Sequence, residues 1–164
     1  MKQLLLIRHA KSSWDDINQK DFDRPLNERG NKDAPAMARR LVERNIKIEA
    51  FISSPANRAI STAVYFANAY KQDASKIILV KDLYLAVPDV FDETVFDIDN
   101  LFNTVAIFSH NPAITAFANT LTQTQIDDMP TCSVFAVSAP VQSWKDFDLA
   151  KKDFLFFDFP KKNV

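Results

Sequence analysis

The sequence predicts an α/β fold of three layers, with a mostly parallel central sheet, helices on both of its faces and antiparallel strands at its edge. Short apolar runs at residues 4–7 and 105–108 are typical of buried parallel strands. Segments with apolar residues at helical spacing alternate with such runs. The chain has 164 residues, the size of one domain, so residues 1–164 are predicted to form a single unit.

The first predicted strand covers residues 2–8, and the first predicted helix covers residues 28–44. Between them lies a polar, irregular segment that Trp14 and Phe22 are expected to anchor. The helix is indicated by apolar residues at helical spacing, namely Ala34, Met37, Ala38, Leu41 and Val42. These residues are expected to face the sheet.

The next elements continue the alternation of strands and helices. A strand over residues 50–53 leads into a helix over residues 54–70, because Pro55 fits the first turn of a helix. A third strand is predicted over residues 77–80 and a third helix over residues 91–102.

The last elements complete the sheet. The run at residues 105–108 is predicted to be the fourth parallel strand, and a helix over residues 112–121 follows it. Two late strands, over residues 133–138 and 154–159, are predicted to join the sheet edge in antiparallel orientation.

Both histidines of the chain follow predicted core strands. Arg8 and His9 come after the first strand, and His110 comes after the fourth. Ser54 and Arg58 follow the second strand in the same way. The carboxyl ends of parallel strands share one edge of the sheet, and ligands bind at that edge in open α/β folds. These side chains are therefore predicted to line one crevice.

The residue types in this crevice favour phosphate as the ligand. Arginine binds phosphate oxygens through two parallel hydrogen bonds, and helix N-termini add partial positive charge. A neutral imidazole can attack phosphorus, and a second one can stabilise developing charge. Each residue alone has a structural reading: Arg58 as a salt-bridged surface residue, and His110 as part of a polar turn that caps a helix. The joint arrangement favours the functional reading.

Composition argues against several classes of protein and site. The net charge of -1 provides no basic field for nucleic acid and no polybasic patch for a membrane. Cys132 is the only cysteine, which excludes an internal disulfide and a cysteine-based metal cluster. Gly30 is the only glycine, which excludes a glycine-rich phosphate loop. The N-terminal apolar run is too short for a signal peptide, so a cytoplasmic location is expected, with a monomer as the favoured state.

Four motifs, in order, resemble those of the histidine phosphatase superfamily, the phosphoglycerate-mutase-like enzymes. Arg8-His9-Ala10 resembles the Arg-His-Gly signature of that family. The segments 24–30, 53–62 and 109–112 resemble its Pro-Leu-Thr-x-x-Gly, Ser-Ser-Pro-x-x-Arg-Ala-x-x-Thr and Gly-His motifs. The small size and the continuation Lys11-Ser12-Ser13-Trp14 are most similar to the SixA-type phosphohistidine phosphatases.

The resemblance implies a phosphoglycerate-mutase-like fold and a role for each matched position. His9 would be the nucleophile, and Arg8, Arg58 and His110 would form the phosphate pocket. No metal and no cofactor would be needed. Ser12 and Asp15 would line the mouth of the pocket, although a reading as turn and helix-cap side chains is equally open.

The sequence departs from the family pattern at three positions. Ala10 and Ser109 stand where the family has glycine, and both are expected to keep ordinary φ angles. Leu85 stands where many family enzymes have a glutamic acid that protonates an alkoxide leaving group. Asp82 and Asp15 remain candidate general acids. Because an imidazole leaves phosphorus more readily than an alkoxide, the missing acid favours a phosphoramidate substrate.

The leading hypothesis is a metal-independent phosphatase that forms a phosphohistidine intermediate on His9 and dephosphorylates phosphohistidine on a partner protein. The spacing of His9, Arg58 and His110 leaves no room for a long lid, and an open site suits a protein substrate. Two alternatives stay open: a general small-molecule phosphomonoesterase, and a catalytically weak module that binds phosphate or a phosphoprotein.

Overall fold

The computed structural model describes residues 1–162 and places six strands in one sheet over that range, confirming the predicted fold class. Along the sheet the strands lie in the order β3-β2-β4-β1-β5-β6. Their bounds are β1 (Lys2–Arg8), β2 (Ala50–Ser53), β3 (Ile78–Leu79), β4 (Thr104–Ser109), β5 (Val134–Ala139) and β6 (Asp153–Asp158). The helices are α1 (Glu28–Glu43), α2 (Asn57–Ala69), α3 (Pro88–Phe96) and α4 (Ala113–Leu121), with short 3-10 turns between elements.

The pairing of the strands agrees with the prediction. β1, β2, β3 and β4 pair in parallel, whereas β5 and β6 add to the β1 side in antiparallel orientation. In the register, Arg8 lies opposite Ser109, and Ser53 lies opposite Phe108. The carboxyl ends of the three central parallel strands are therefore level with one another.

Two apolar clusters separate the sheet from the helices on its two faces. On one face α1 and α2 pack against alternate strand residues, including Leu5, Ile7 and Phe108. On the other face α3 and α4 pack against the intervening residues, including Leu4, Leu6 and Ile107. Because the side chains of a strand alternate between faces, the apolar run at residues 4–7 of β1 contributes to both clusters.

Three helices begin at a residue other than the predicted one, and the shift is a single residue for α4, where Pro112 is the N-cap. α2 starts at Asn57, because Ser54 and Pro55 remain in the turn that leaves β2 and Ala56 is the N-cap residue. α3 covers Pro88–Phe96, so the predicted range of 91–102 starts too late and ends too late. Proline occupies the first turn of α3, a helix-start signal that the apolar spacing did not include.

The expectation that Trp14 and Phe22 anchor the segment before α1 is wrong. Trp14 is 69% exposed and Phe22 is 38% exposed. The segment is held instead by buried residues that include Ser12, Leu26 and Arg24, and the Arg24 guanidinium lies 3.5 Å from the centre of the Trp14 ring. None of the helices within residues 1–162 is long and apolar enough to cross a membrane.

Candidate active site

The two histidines lie side by side at the carboxyl edge of the sheet. His9 follows β1 and His110 follows β4, and the backbone N–H of His9 donates to the Ser109 carbonyl across the two strands at 3.1 Å. The ring centroids are 5.1 Å apart and both side chains are buried. The carboxyl ends of β1 and β4 therefore bring the two histidines together at one edge of the sheet, where the sequence predicted them.

The His9 ring has one nitrogen free to act as a nucleophile. Its Nδ1 lies 2.7 Å from the carbonyl oxygen of Ala10, and since a carbonyl only accepts, Nδ1 carries the hydrogen. The lone pair is then on Nε2. Burial lowers the pKa of His9 to about 3, and the nearby charges of Arg58 and Arg8 act in the same direction against the Ala10 hydrogen bond. The ring is neutral at pH 7.

The His110 ring is bonded to the protein through its other nitrogen, Nε2. Its Nε2 lies 2.7 Å from Ser54 Oγ, which accepts a hydrogen bond from the Ala56 N–H at 3.3 Å. The Ser54 hydroxyl still has its hydrogen to donate to Nε2, and in that arrangement the ring hydrogen is on Nδ1. That Nδ1 is buried without a hydrogen-bond partner among residues 1–162. Burial and the Arg58 charge lower the pKa of His110 to about 4.

The two arginines beside the histidines each have a buried N–H that is not used. Arg8 donates from Nη1 to the Met129 carbonyl at 2.7 Å, and Arg58 donates from Nη1 and Nη2 to Asp21. The Nε atoms of both are buried without partners in the described part of the chain. Buried donors are nearly always hydrogen-bonded. An anion placed next to His9 Nε2 would supply their missing acceptors.

Thr62 links the nucleophile segment to the helix that carries Arg58. Its hydroxyl accepts from the Ala10 N–H at 2.9 Å and donates to the Arg58 carbonyl at 2.8 Å. Thr62 is fully buried. The threonine of the third motif therefore holds the backbone after His9 against α2.

Three residues at this site were missed from the sequence: Asp21, Tyr84 and Arg24. Asp21 bonds Arg58, the Tyr84 hydroxyl and Arg24. The Tyr84 ring stands edge-on to His110 at 5.7 Å. No sequence pattern signals these contacts, because each joins segments that only the folded loops bring together.

Of the other predicted site residues, Ser12 is part of a buried contact beside the pocket, whereas Asp15 and Asp82 lie at the surface. Ser12 is buried, and its hydroxyl accepts from Arg24 Nη1 at 2.7 Å, so it holds the loop beside the pocket. Asp15 and Asp82 are both exposed, and neither carboxylate has a hydrogen bond or ion pair to the histidines or to Arg58. Their role as general acids stays a prediction.

Of the three positions that depart from the family pattern, only Leu85 has an unusual backbone angle. Ala10 and Ser109 keep ordinary φ angles, as expected. Leu85 has a φ of 53° and is 85% exposed, directly after the Tyr84 that borders His110. The side chain at this position can neither donate nor accept a proton. Within residues 1–162 there is no group of three or more histidine, cysteine or acidic residues that could hold a metal ion.

Comparison with known proteins agrees with the motifs. Residues 4–83 match the model of the histidine phosphatase superfamily (branch 1), which confirms the resemblance seen in the sequence. The matched range contains Arg8, His9 and Arg58 but not His110.

Two curated relatives match this chain in sequence over part of their length, and a solved structure matches it in fold. An uncharacterised chloroplastic protein of Arabidopsis thaliana is 41% identical over 61 residues, which are 37% of this chain and 28% of that protein. A 2,3-bisphosphoglycerate-dependent phosphoglycerate mutase of Gloeothece citriformis is 35% identical over 74 residues, 44% of this chain and 32% of the mutase. The matches thus span about a third of each relative. The protein histidine phosphatase SixA complexed with tungstate has a TM-score of 0.81 at 20% identity, covering 96% of this chain and 97% of SixA.

Proposed function

We propose that this chain, which matches the histidine phosphatase superfamily over residues 4–83 and shares the fold of SixA, is a metal-independent phosphatase that removes the phosphoryl group from phosphohistidine on a partner protein. One observation carries the proposal. The His9 ring, whose Nε2 is free, lies 5.1 Å from the His110 ring and is affected by the charges of Arg8 and Arg58. Each of these three neighbours has a buried donor without a partner within residues 1–162, namely Nε of Arg8, Nε of Arg58 and Nδ1 of His110. Such a set fits a tetrahedral oxyanion, and SixA was crystallised with tungstate, an ion of that shape.

In the first step the Nε2 lone pair of His9 attacks phosphorus. A bond forms between Nε2 and phosphorus, and the bond from phosphorus to the substrate imidazole breaks in line with it. The bond electrons leave on the substrate nitrogen. Arg8, Arg58 and His110 donate to the phosphoryl oxygens as charge develops on them. Because His9 keeps its Nδ1 hydrogen on the Ala10 carbonyl, the product is a phosphorylated imidazolium.

In the second step water attacks the phosphorylated His9. The new bond joins the water oxygen to phosphorus, the bond from phosphorus to Nε2 breaks, and inorganic phosphate leaves with the water proton going to solvent. His9 departs as a neutral imidazole with its Nδ1 hydrogen still held by Ala10, so this leaving group needs no proton. The same holds for a substrate imidazole that is protonated on its other nitrogen.

The side chain of Leu85 supports a phosphoramidate substrate. An alkoxide leaving group needs a proton donor, which contributes on the order of a hundredfold or more in rate. Leu85 supplies none, and neither Asp15 nor Asp82 contacts the central residues. Phosphohistidine is the substrate class that loses least from this lack.

The test compares rates on a phosphohistidine-bearing protein with rates on a panel of phosphate esters. We expect the phosphohistidine protein to be hydrolysed faster by wild type, and His9→Ala to lose turnover on every substrate. Leu85→Glu should raise ester hydrolysis about tenfold or more by supplying an acid, with Leu85→Gln as the uncharged control. A clear preference for one ester would establish a small-molecule phosphatase instead, and phosphate binding without turnover would establish a binding module.

A further inference from the structure

We infer that Asp21 is a positioning residue for Arg58, turning its guanidinium so that the Nε edge faces the phosphoryl group. This inference rests on the proposed function. Asp21 lies in a 3-10 turn (Asp21–Asp23) before α1, and Arg58 lies in the first turn of α2. The two residues are 37 positions apart, so the contact is formed by folding of the loop and not by local sequence.

Asp21 holds Arg58 at two points. Arg58 Nη1 donates to the Asp21 main-chain carbonyl at 2.7 Å, and Nη2 donates to the carboxylate Oδ2 at 3.1 Å. A guanidinium is planar and rigid, so two bonds at one end fix the orientation of the whole group. The edge that bears Nε–H then points away from Asp21, and this Nε is buried without a hydrogen-bond partner among the described residues.

The other arginine of the pocket is held in a comparable way. Arg8 donates from Nη1 to the Met129 carbonyl, and within residues 1–162 its Nε is likewise buried without a partner. Both arginines thus have terminal nitrogens bonded to protein and an Nε edge left for a ligand. Arg8 has one such hydrogen bond, to a backbone carbonyl, with the Asp128 carboxylate 3.8 Å from the same nitrogen, whereas Arg58 has a direct hydrogen bond to the Asp21 side chain that mutation can remove.

Tyr84 holds the Asp21 carboxylate from the other side. Its hydroxyl donates to Oδ2 at 2.6 Å, and its ring borders both His110 and the Arg58 guanidinium, the latter at 6.0 Å from the ring centre. The carboxylate therefore has little freedom to turn away from Arg58. While it donates to Asp21, the Tyr84 hydroxyl has no hydrogen to donate into the pocket.

The Asp21 carboxylate also bonds Arg24, with Oδ1 accepting from Nε at 3.1 Å. Arg24 in turn donates to Ser12 and to the Ser13 carbonyl. Asp21 thereby connects the loop before α1 to the phosphate pocket. Partial burial opposes ionisation, but the Tyr84 and arginine contacts outweigh it and lower the pKa of Asp21 to about 2, which keeps the carboxylate charged at neutral pH.

The experiment compares Asp21→Ala, Asp21→Asn and the control Asp23→Ala. Asp23 is an exposed carboxylate in the same turn, so its removal changes the net charge equally. We expect Asp21→Ala to lower kcat/KM on the phosphohistidine protein about tenfold to a hundredfold, the range in which misplaced catalytic groups fall. Asp21→Asn keeps an acceptor oxygen and should lie between, and Asp23→Ala should stay within twofold.

A double-mutant cycle separates positioning from general damage. If Asp21 acts through Arg58, Asp21→Ala should change kcat/KM and orthovanadate affinity less than twofold in an Arg58→Ala background. The same loss in both backgrounds, or a loss equal to the unfolded fraction seen by circular dichroism, would overturn the inference. Absence of phosphohistidine hydrolysis by wild type would refute the proposed function. Calorimetry of orthovanadate binding needs no turnover, so the double-mutant cycle would still test the role of Asp21 in that case.

Discussion

Replacement of the only glycine, Gly30→Ala, should damage both stability and activity. A Cβ at position 30 would lie 2.1 Å from the Lys11 carbonyl oxygen and 3.0 Å from two further backbone atoms of Lys11. All three atoms belong to the backbone and cannot swing aside as the end of a side chain can. Helix α1 and the segment after His9 must therefore separate by about 1 Å to restore ordinary contact. Gly30 has a negative φ, so the missing Cβ is what the position requires and not a special backbone angle.

The size of the effect follows from three contributions. Forced overpacking costs about 1–3 kcal/mol, and weakening the 2.9 Å hydrogen bond from the Asn27 N–H to the Lys11 carbonyl costs about 1 kcal/mol. Alanine offsets about 1 kcal/mol because it favours a helix more than glycine does. The net loss in the free energy of unfolding is about 1–3 kcal/mol. Because Lys11 is two residues from His9, a 1 Å shift should also lower kcat/KM about a hundredfold.

Urea unfolding followed by circular dichroism measures the stability, and steady-state kinetics on a phosphorylated substrate measures the activity. Lys32→Ala is the matched control, since Lys32 is an exposed residue of the same helix. The control should leave both quantities nearly unchanged. A Gly30→Ala protein as stable and as active as wild type would refute the close packing of α1 on the nucleophile segment.

Three further predictions concern the hydrogen bonds and charges of the pocket. Burial lowers the pKa of His9 to about 3, whereas an unfolded imidazole titrates near 6.5. As pH falls from 6.5 towards 3, only the unfolded state takes up this proton, so the free energy of unfolding falls over that window. In urea titrations, wild type should lose about 2 kcal/mol more of this free energy between pH 7 and pH 5 than His9→Asn does. Equal losses in the two proteins would contradict a neutral His9. Ser54→Ala removes the hydrogen bond at Nε2 of His110, so the ring hydrogen is no longer held on Nδ1 and kcat/KM should fall about tenfold. Nitrogen NMR of this variant should show a mixture of the two ring tautomers in place of the Nδ1–H form alone. Thr62→Val should leave the buried Ala10 N–H unpaired and cost about 1–3 kcal/mol in urea unfolding, so an unchanged midpoint would argue against this bond.

Much of the central site could be predicted because it depends on strand ends. β1 and β4 are short and have continuous apolar runs at residues 4–7 and 105–108, and the residue after such a strand in a parallel sheet has a defined position. His9 and His110 follow directly from that rule. Arg58 follows from the position of the next helix, although the helix begins at Asn57 and not at Ser54.

The loop contacts could not be predicted in this way. Asp21 meets Arg58 only because the segment before α1 folds back over α2, and Arg24 is buried because it satisfies Asp21 and Ser12 together. A polar segment without periodicity contains no signal for either contact. An arginine of that segment is accordingly buried, whereas the aromatic residue Trp14 lies exposed against it.

The end of α3 illustrates a different limit. Apolar residues at helical spacing continue past Phe96, which favoured a helix to residue 102. Asp97, Asp99 and Asn100 instead form turns, and the Asp99 carboxylate accepts from the Leu101 N–H at 2.9 Å. Aspartate and asparagine bond the nearby backbone in this way and so compete with helix formation. Local side-chain chemistry outweighed periodicity at this position.

The central claim is that the phosphoryl group passes to His9. Its most direct measurement is rapid-quench labelling with a phosphohistidine protein carrying radioactive phosphate, followed by mapping of the labelled residue. We predict an acid-labile, alkali-stable label on His9 in wild type, accumulating before inorganic phosphate appears, and no label in His9→Ala. Label on His110, or full turnover by wild type with no label on any residue, would contradict the account.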